Sequence, residues 1–178
     1  MDLSMKNQEK TVRLLQTAAL VLLVGLCYLI ADSHRERLVS LGDKAPSFQV
    51  TTDKGKKISR ADFGGKLLIV NFWAPWCPPC VDEMPSLQAM ASQLAPKGVV
   101  VLGVSVDRNE ATYKRFLQQA SIQFETARDP EANISAEYGT FKYPETYVIN
   151  REGKVVQKLI GPQNWMDPEL LKSLESFL

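Results

Sequence analysis

The sequence predicts an α/β domain with a central mixed β-sheet flanked by helices, preceded by one transmembrane helix. Three observations carry this. Short apolar runs alternate with stretches whose apolar residues recur at helical spacing, the pattern of strand–helix–strand units. The last two strand-like runs are joined by the turn Asn150-Arg151-Glu152-Gly153, so the sheet contains an antiparallel pair. Finally, Leu14 to Ala31 holds no charged residue and is long enough to cross a bilayer.

The N-terminal segment is read first because it sets the compartment. Residues 1–11 form a cytoplasmic N-terminus, 12–31 a membrane anchor, 32–40 a polar connector and 41–178 the folded domain. Lys6, Lys10 and Arg13 precede the apolar run, whereas Asp32 and Glu36 dilute the bases after it, so the positive-inside bias keeps the N-terminus in the cytoplasm. A cleavable signal peptide competes with this reading, since Ala31-Asp32-Ser33 passes as a cleavage site, but its apolar region is usually about 7–15 residues. A lipoprotein would need a small residue before Cys27, and Leu26 stands there. The expected location is therefore the cell membrane, single-pass, with the domain on the extracytoplasmic, periplasmic side, where disulfides persist. With 21 basic and 20 acidic residues the chain has no basic stripe, which argues against nucleic acid.

Within the domain, Phe48 and Val50 alternate as in a strand, Lys54-Gly55-Lys56-Lys57 turns the chain, and Ile58 starts a second extended piece. Ser59 to Gly65 connects to Lys66–Trp73, whose nearly continuous apolar character suits a strand buried on both faces. Leu87, Met90, Ala91 and Leu94 mark one face of a helix, with a kink expected at Pro85 and a stop at Ala95-Pro96-Lys97-Gly98. Val99–Val106 is a second buried strand, and Tyr113, Phe116, Leu117 and Ala120 define another helix. Ile122–Thr126 is expected as a short strand. Asp129 to Gly139 is expected as a helix with Asp129 as N-cap, Pro130 in the first turn and Gly139 past the end. Glu145–Asn150 and Lys154–Ile160 form the closing hairpin. Asp167-Pro168-Glu169 caps a last helix that faces Leu170, Leu171, Leu174 and Phe177 inward.

The chemistry concentrates in Trp76-Cys77-Pro78-Pro79-Cys80. Two cysteines separated by two residues can close and reopen a disulfide within one helical turn. The preceding strand delivers Cys77 to the mouth of a helix, where unpaired N–H groups and the macrodipole favour a thiolate. Zinc is disfavoured because structural sites want about four N/S ligands, and only Cys27 and His34 remain, both at the anchor. A purely structural role is weak too, because so short a loop removes little chain entropy. No metal and no cofactor is called for.

Three motifs in order make the chain recognisable: Gly42-Asp43-x-Ala45-Pro46-x-Phe48, Val70-Asn71-Phe72-Trp73-Ala74-x-Trp76-Cys77-x-Pro79-Cys80, and Tyr143-Pro144-x-Thr146-Tyr147-Val148-Ile149-Asn150-x-x-Gly153. The sequence resembles the thioredoxin-fold family, in its membrane-anchored TlpA/ResA/CcmG group of thiol–disulfide oxidoreductases, over about Leu41 to Leu178. The resemblance implies a thioredoxin fold with an N-terminal extension and a helix-bearing insertion between Asp107 and Phe141. It implies an exposed nucleophile, Cys77, a buried resolving thiol, Cys80, and a cis peptide bond before Pro144. Trp76, Tyr143 and Pro144 are the implied substrate-binding residues. Many thioredoxins carry a buried Asp where this chain has Asn71. Glu83, about one helical turn past Cys80, is the candidate substitute proton acceptor.

The implied activity is reduction of protein disulfides, apocytochrome c among them, with re-reduction by a membrane thiol carrier of the CcdA/DsbD kind. Two rivals stand beside it. A thiol peroxidase of the redoxin superfamily would place Thr or Ser three residues before its nucleophile, where this chain has Ala74. A copper-delivery protein of related fold would want a histidine beside its cysteines, and none lies past the connector.

Overall fold

The computed structural model describes residues 2–33 and 38–178. The chain separates into two units, Met1–Glu36 and Arg37–Leu178. The first contains helix α1 (Asp2–Ser33). Its window Val12–Leu29 has a mean hydropathy of 1.9 and none of its residues is buried, so by length and composition the helix is able to cross a membrane. His34 lies outside the described residues.

The second unit is a five-stranded mixed sheet. Its strands are β3 (Leu67–Trp73), β4 (Val99–Ser105), β5 (Glu125–Arg128), β6 (Glu145–Ile149) and β7 (Val155–Ile160), in the spatial order β5-β4-β3-β6-β7. Strands β3, β4 and β5 run parallel, while β6 and β7 run antiparallel to their neighbours. A small hairpin, β1 (Gln49–Thr51) with β2 (Lys57–Ser59), precedes the sheet. The helices are α2 (Pro78–Leu94), α3 (Glu110–Ala120), α4 (Asn133–Glu137) and α5 (Pro168–Glu175). This is a thioredoxin-like architecture. The segment between Asp107 and Phe141 contains α3, β5 and α4.

The alternation of side chains along β3 builds two cores. Leu67, Ile69 and Trp73 face a cluster with Leu87, Met90 and Leu94 of α2 and with Tyr113, Trp165 and Leu174. Leu68, Val70 and Phe72 face the other cluster with Phe48, Val50, Ile58, Tyr138 and Tyr147. Every residue of β3 is buried, as a strand covered on both faces requires. Val39, in the stretch read as connector, is buried in the second cluster, and Gly42 and Ala45 donate main-chain bonds to Val155 and Gly153.

Two local expectations are corrected. The fifth strand starts at Glu125, three residues later than expected, because its register pairs Glu125 to Arg128 with Leu102 to Ser105. Ile122 and Phe124 instead pack as partly buried side chains against the first core. The helix expected from Asp129 is also shorter. Ala132 adopts a left-handed φ of 56° and interrupts it, so α4 begins at Asn133. Asp129 still caps it from a distance: its carboxylate accepts the amides of Asn133, Ile134 and Ser135 at 3.0, 2.9 and 3.1 Å. Helix α5 follows the expected rule, with Asp167 accepting from the amides of Glu169 and Leu170 and Pro168 in the first turn. Pro85 lies on the exposed side of α2, whose helical run continues through it.

Candidate active site

The buried run of β3 ends at Trp73, and the chain turns through Ala74 and Pro75 before α2 begins. Cys77 is the N-cap of α2, Pro78 opens the helix, and Cys80 sits in its first turn. Cys77 and Cys80 are disulfide-bonded, with Cα atoms 5.3 Å apart. Cys80 has no exposed surface and Cys77 keeps 6%. Both cysteines are therefore buried, which corrects the exposed Cys77 expected above: as N-cap of α2 it packs into the first core cluster.

The helix mouth is poor in free donors. Pro78 and Pro79 have no N–H, and the amides of Cys80 and Val81 both bond to the Cys77 carbonyl at 3.0 and 3.1 Å. The amide of Cys77 bonds to the Ala74 carbonyl at 3.1 Å.

Trp76 is 58% exposed beside the disulfide and meets the ring of Tyr143 edge-on at 6.1 Å between centroids. Tyr143 is half-buried and packs against both cores. The Tyr143–Pro144 bond is cis. Pro144 is buried just before β6, and its carbonyl accepts from the Gly161 amide at 2.9 Å.

Glu83 is on α2, one turn past Cys80, and is 3% exposed. Its Oε1 accepts from Asn71 Nδ2 at 2.8 Å. Its Oε2 accepts from the Gln163 amide at 2.9 Å and from Trp165 Nε1 at 3.2 Å. Burial pushes the Glu83 carboxyl above its ordinary range, against the opposing pull of the bonds from Gln163, Asn71 and Trp165. Asn71 spends its second amide hydrogen on Thr146 Oγ1 at 2.9 Å, and its Oδ1 has no partner among the described residues.

Spacing gives no sign that Gln163 and Trp165 reach Glu83. They lie about eighty positions from Glu83, and only a tryptophan ahead of the α5 cap hinted at burial. Glu145 is a further buried carboxylate that the spacing does not reveal. It follows Pro144 directly, has no exposed surface, and pairs with Lys158 Nζ at 2.8 Å. Its trace in the sequence is an acid opening an otherwise apolar strand.

The AhpC/TSA family matches residues 41–158. The thiol-disulfide oxidoreductase ResA of Bacillus thuringiensis subsp. konkukian is 36% identical over 129 residues, covering 72% of this chain and 75% of that one. ResA of Geobacillus kaustophilus is 31% identical over 175 residues, 97% of this chain and 98% of its own length. Among solved structures, a candidate thiol:disulfide interchange protein DsbE from Chlorobium tepidum superposes with a TM-score of 0.69 at 30% identity, covering 78% of this chain and 94% of that one.

Proposed function

The chain belongs to the AhpC/TSA family and is a thiol-disulfide oxidoreductase of the ResA/DsbE type, and on that premise we propose that it works as an anchored, extracytoplasmic reductase of protein disulfides. The observation that carries this reading is the Cys77–Cys80 disulfide at the mouth of α2, next to the exposed ring of Trp76.

The cycle needs only these two sulfurs. The Cys77 thiolate attacks one sulfur of a substrate disulfide, forming a mixed disulfide and releasing the other sulfur as a thiolate that takes up a proton. Cys80 then loses its proton to Glu83, directly or through water, and attacks Cys77 Sγ. The substrate leaves with both sulfurs reduced, and the protein holds the Cys77–Cys80 disulfide: two electrons have passed outward. A thiol carrier in the membrane, of the CcdA/DsbD kind, returns them. Trp76, Tyr143 and Pro144 form the surface against which the substrate chain lies. Residues 12–31 hold the domain to the bilayer, and the bases before them keep the N-terminus in the cytoplasm. Apocytochrome c, whose C-x-x-C-H site must be reduced before haem attachment, is the substrate that best fits this chemistry and compartment.

The test is capture. Full-length Cys80→Ser expressed in its own host stalls after the first attack, and mass spectrometry identifies what is bound through Cys77. Apocytochrome c among the adducts supports the reading. Adducts that exclude it, or that form through Cys80 in the unmutated chain, overturn it.

A further inference from the structure

The end of the sheet opposite the disulfide gathers bases that the redox chemistry does not use. Lys66 immediately precedes β3, and Cys77 follows the other end of that strand. Leu68 pairs with Ile149, so the turn 150–154 between β6 and β7 lies at the Lys66 end. A strand rises about 3.3 Å per residue, so the length of β3 puts this end about 20 Å from the cysteines.

A cleft of about 90 Å³ opens here, lined by Arg60, Lys66, Arg151 and Glu152 among others. That is the room of about three water molecules in the liquid. Lys66 and Arg151 are exposed, whereas Arg60 is half-buried. Its Nε is shut off from solvent and has no hydrogen-bond partner among the described residues. The ion pairs of those residues use Lys54, Lys97, Lys114, Arg128 and Lys158, and none of the three cleft bases. Glu152 stands exposed on the rim. The neighbouring acids are engaged locally: Asp62 accepts from the Ser59 amide at 2.6 Å and its hydroxyl at 2.8 Å, and Asp43 from the Ser40 amide at 2.9 Å.

The backbone makes room for the guanidinium. Gly153 has a φ of 79°, and a Cβ there would come within 2.5 Å of Arg60 Nη1. Glycine lets the arginine lie against the turn, where a side chain would push it away. Lys44 adds a further charge, since it faces Lys154 across an antiparallel bridge.

A buried N–H of a charged group without an acceptor is costly, and like charges held together repel. One anion removes both penalties. The planar fork of arginine matches the oxygens of a phosphate, and lysine adds a point charge. Bases from three separate segments can each take a different oxygen, which a tetrahedral phosphate offers and a planar carboxylate does not.

We propose that the cleft of Arg60, Lys66 and Arg151 is a binding site for a phosphate group, separate from the disulfide chemistry. The chain enters the domain at this same end, where Gly42 and Ala45 donate to the carbonyls of Val155 and Gly153. A membrane-anchored chain meets two sources of the group: the headgroup of an anionic phospholipid, and the free anion.

The experiment unfolds the full-length protein thermally in neutral detergent micelles, in two comparisons. One sets potassium phosphate against potassium chloride at equal ionic strength. The other sets phosphatidylglycerol against phosphatidylcholine doped into the micelles. The midpoint should rise saturably, by about 4 °C at about tenfold excess over the dissociation constant. A rise with phosphate assigns the free anion, and a rise confined to phosphatidylglycerol assigns the headgroup; either supports the site. Arg60→Gln should weaken binding by at least about 10-fold, read as a titration shifted to higher concentration. Lys66→Gln/Arg151→Gln changes only exposed side chains, is the safer variant for folding, and should show a shift of about the same size. Its rate with hydroxyethyl disulfide should stay within about twofold of the parent's, because the cleft lies far from the thiols. A midpoint that responds in neither comparison overturns the proposal, as does a response kept in full by folded Lys66→Gln/Arg151→Gln.

Discussion

Asn71 Nδ2 donates to Glu83 Oε1 at 2.8 Å, tying the centre of β3 to α2 one helical turn beyond Cys80. An amide here keeps the neighbouring carboxylate as the lone acid in the cluster. It supplies a donor that favours the ionised form while burial opposes it. Burial outweighs the donors, so the carboxyl titrates above its ordinary range.

Glu83→Gln should therefore separate the two chemical steps. Mixed-disulfide formation by Cys77 should be nearly unchanged, whereas substrate release should slow by about 10²-fold, the usual scale of general-base catalysis. In the parent chain release should quicken as pH rises through the elevated Glu83 pKa, and that limb should vanish in the variant. Stopped-flow kinetics with a peptide disulfide measures both steps; equal slowing of formation and release would refute the assignment.

The same carboxyl predicts a stability trend of definite sign. In the unfolded chain Glu83 titrates near about 4.3. Its folded pKa is higher, so between the two values the folded protein binds more protons. The stabilisation is complete below the unfolded value and lost as pH rises through the folded one. Urea unfolding at stepped pH should show parent stability declining over this window relative to Glu83→Gln.

Asn71→Asp would place a second carboxyl against Glu83. Two carboxylates at that separation cannot both ionise in a buried site, so the pair should titrate with two apparent pKa values, the upper one strongly raised. The variant should be destabilised by about 1–3 kcal/mol at neutral pH and should recover as pH falls. Thermal unfolding between about pH 5 and 8 checks this. A deficit that does not depend on pH would place the cause elsewhere.

Pro79→His returns an N–H to the helix mouth and adds a positive charge when protonated. The Cys77 thiolate gains a donor that the parent chain lacks, so its pKa should fall and the dithiol form should become more favoured. Each unit of lowered pKa corresponds to about 1.4 kcal/mol, or at most about 30 mV of higher reduction potential. Equilibration against a glutathione buffer reads the potential, and a value at or below the parent's would contradict the argument.

Trp76→Ala removes a ring that is more exposed than buried and whose aromatic partner is Tyr143. The lost edge contact is worth about 0.5–1.5 kcal/mol, so the melting temperature should move by only a few degrees. The second-order rate with peptide disulfides should fall by about 10-fold if the ring meets substrate. A rate loss no larger than the stability change accounts for would return Trp76 to a packing role.

Local chemistry was legible along the chain. The strand ending at Trp73, the cysteine pair opening a helix, the Asp167-Pro168 cap and the closing hairpin depend on neighbours within a few residues, so spacing alone placed them. Where placement depended on partners far away, spacing failed. The fifth strand begins at Glu125 because Leu102 sets its register, and α4 starts late because Ala132 turns left-handed while Asp129 caps from outside.

The sequence by itself determined that this protein carries a two-cysteine redox pair at the mouth of a helix, on an α/β domain behind an apolar segment able to span a membrane. Periodicity, charge and the spacing of two sulfurs are properties of adjacent residues and need no tertiary contact. Only the tertiary structure decided which acids leave water. Glu83 became buried because Gln163 and Trp165, far along the chain, close over it, and Glu145 because Lys158 arrives from the next strand. Whether a carboxyl sits in water or in protein depends on what the rest of the chain packs against it, and no local pattern records that.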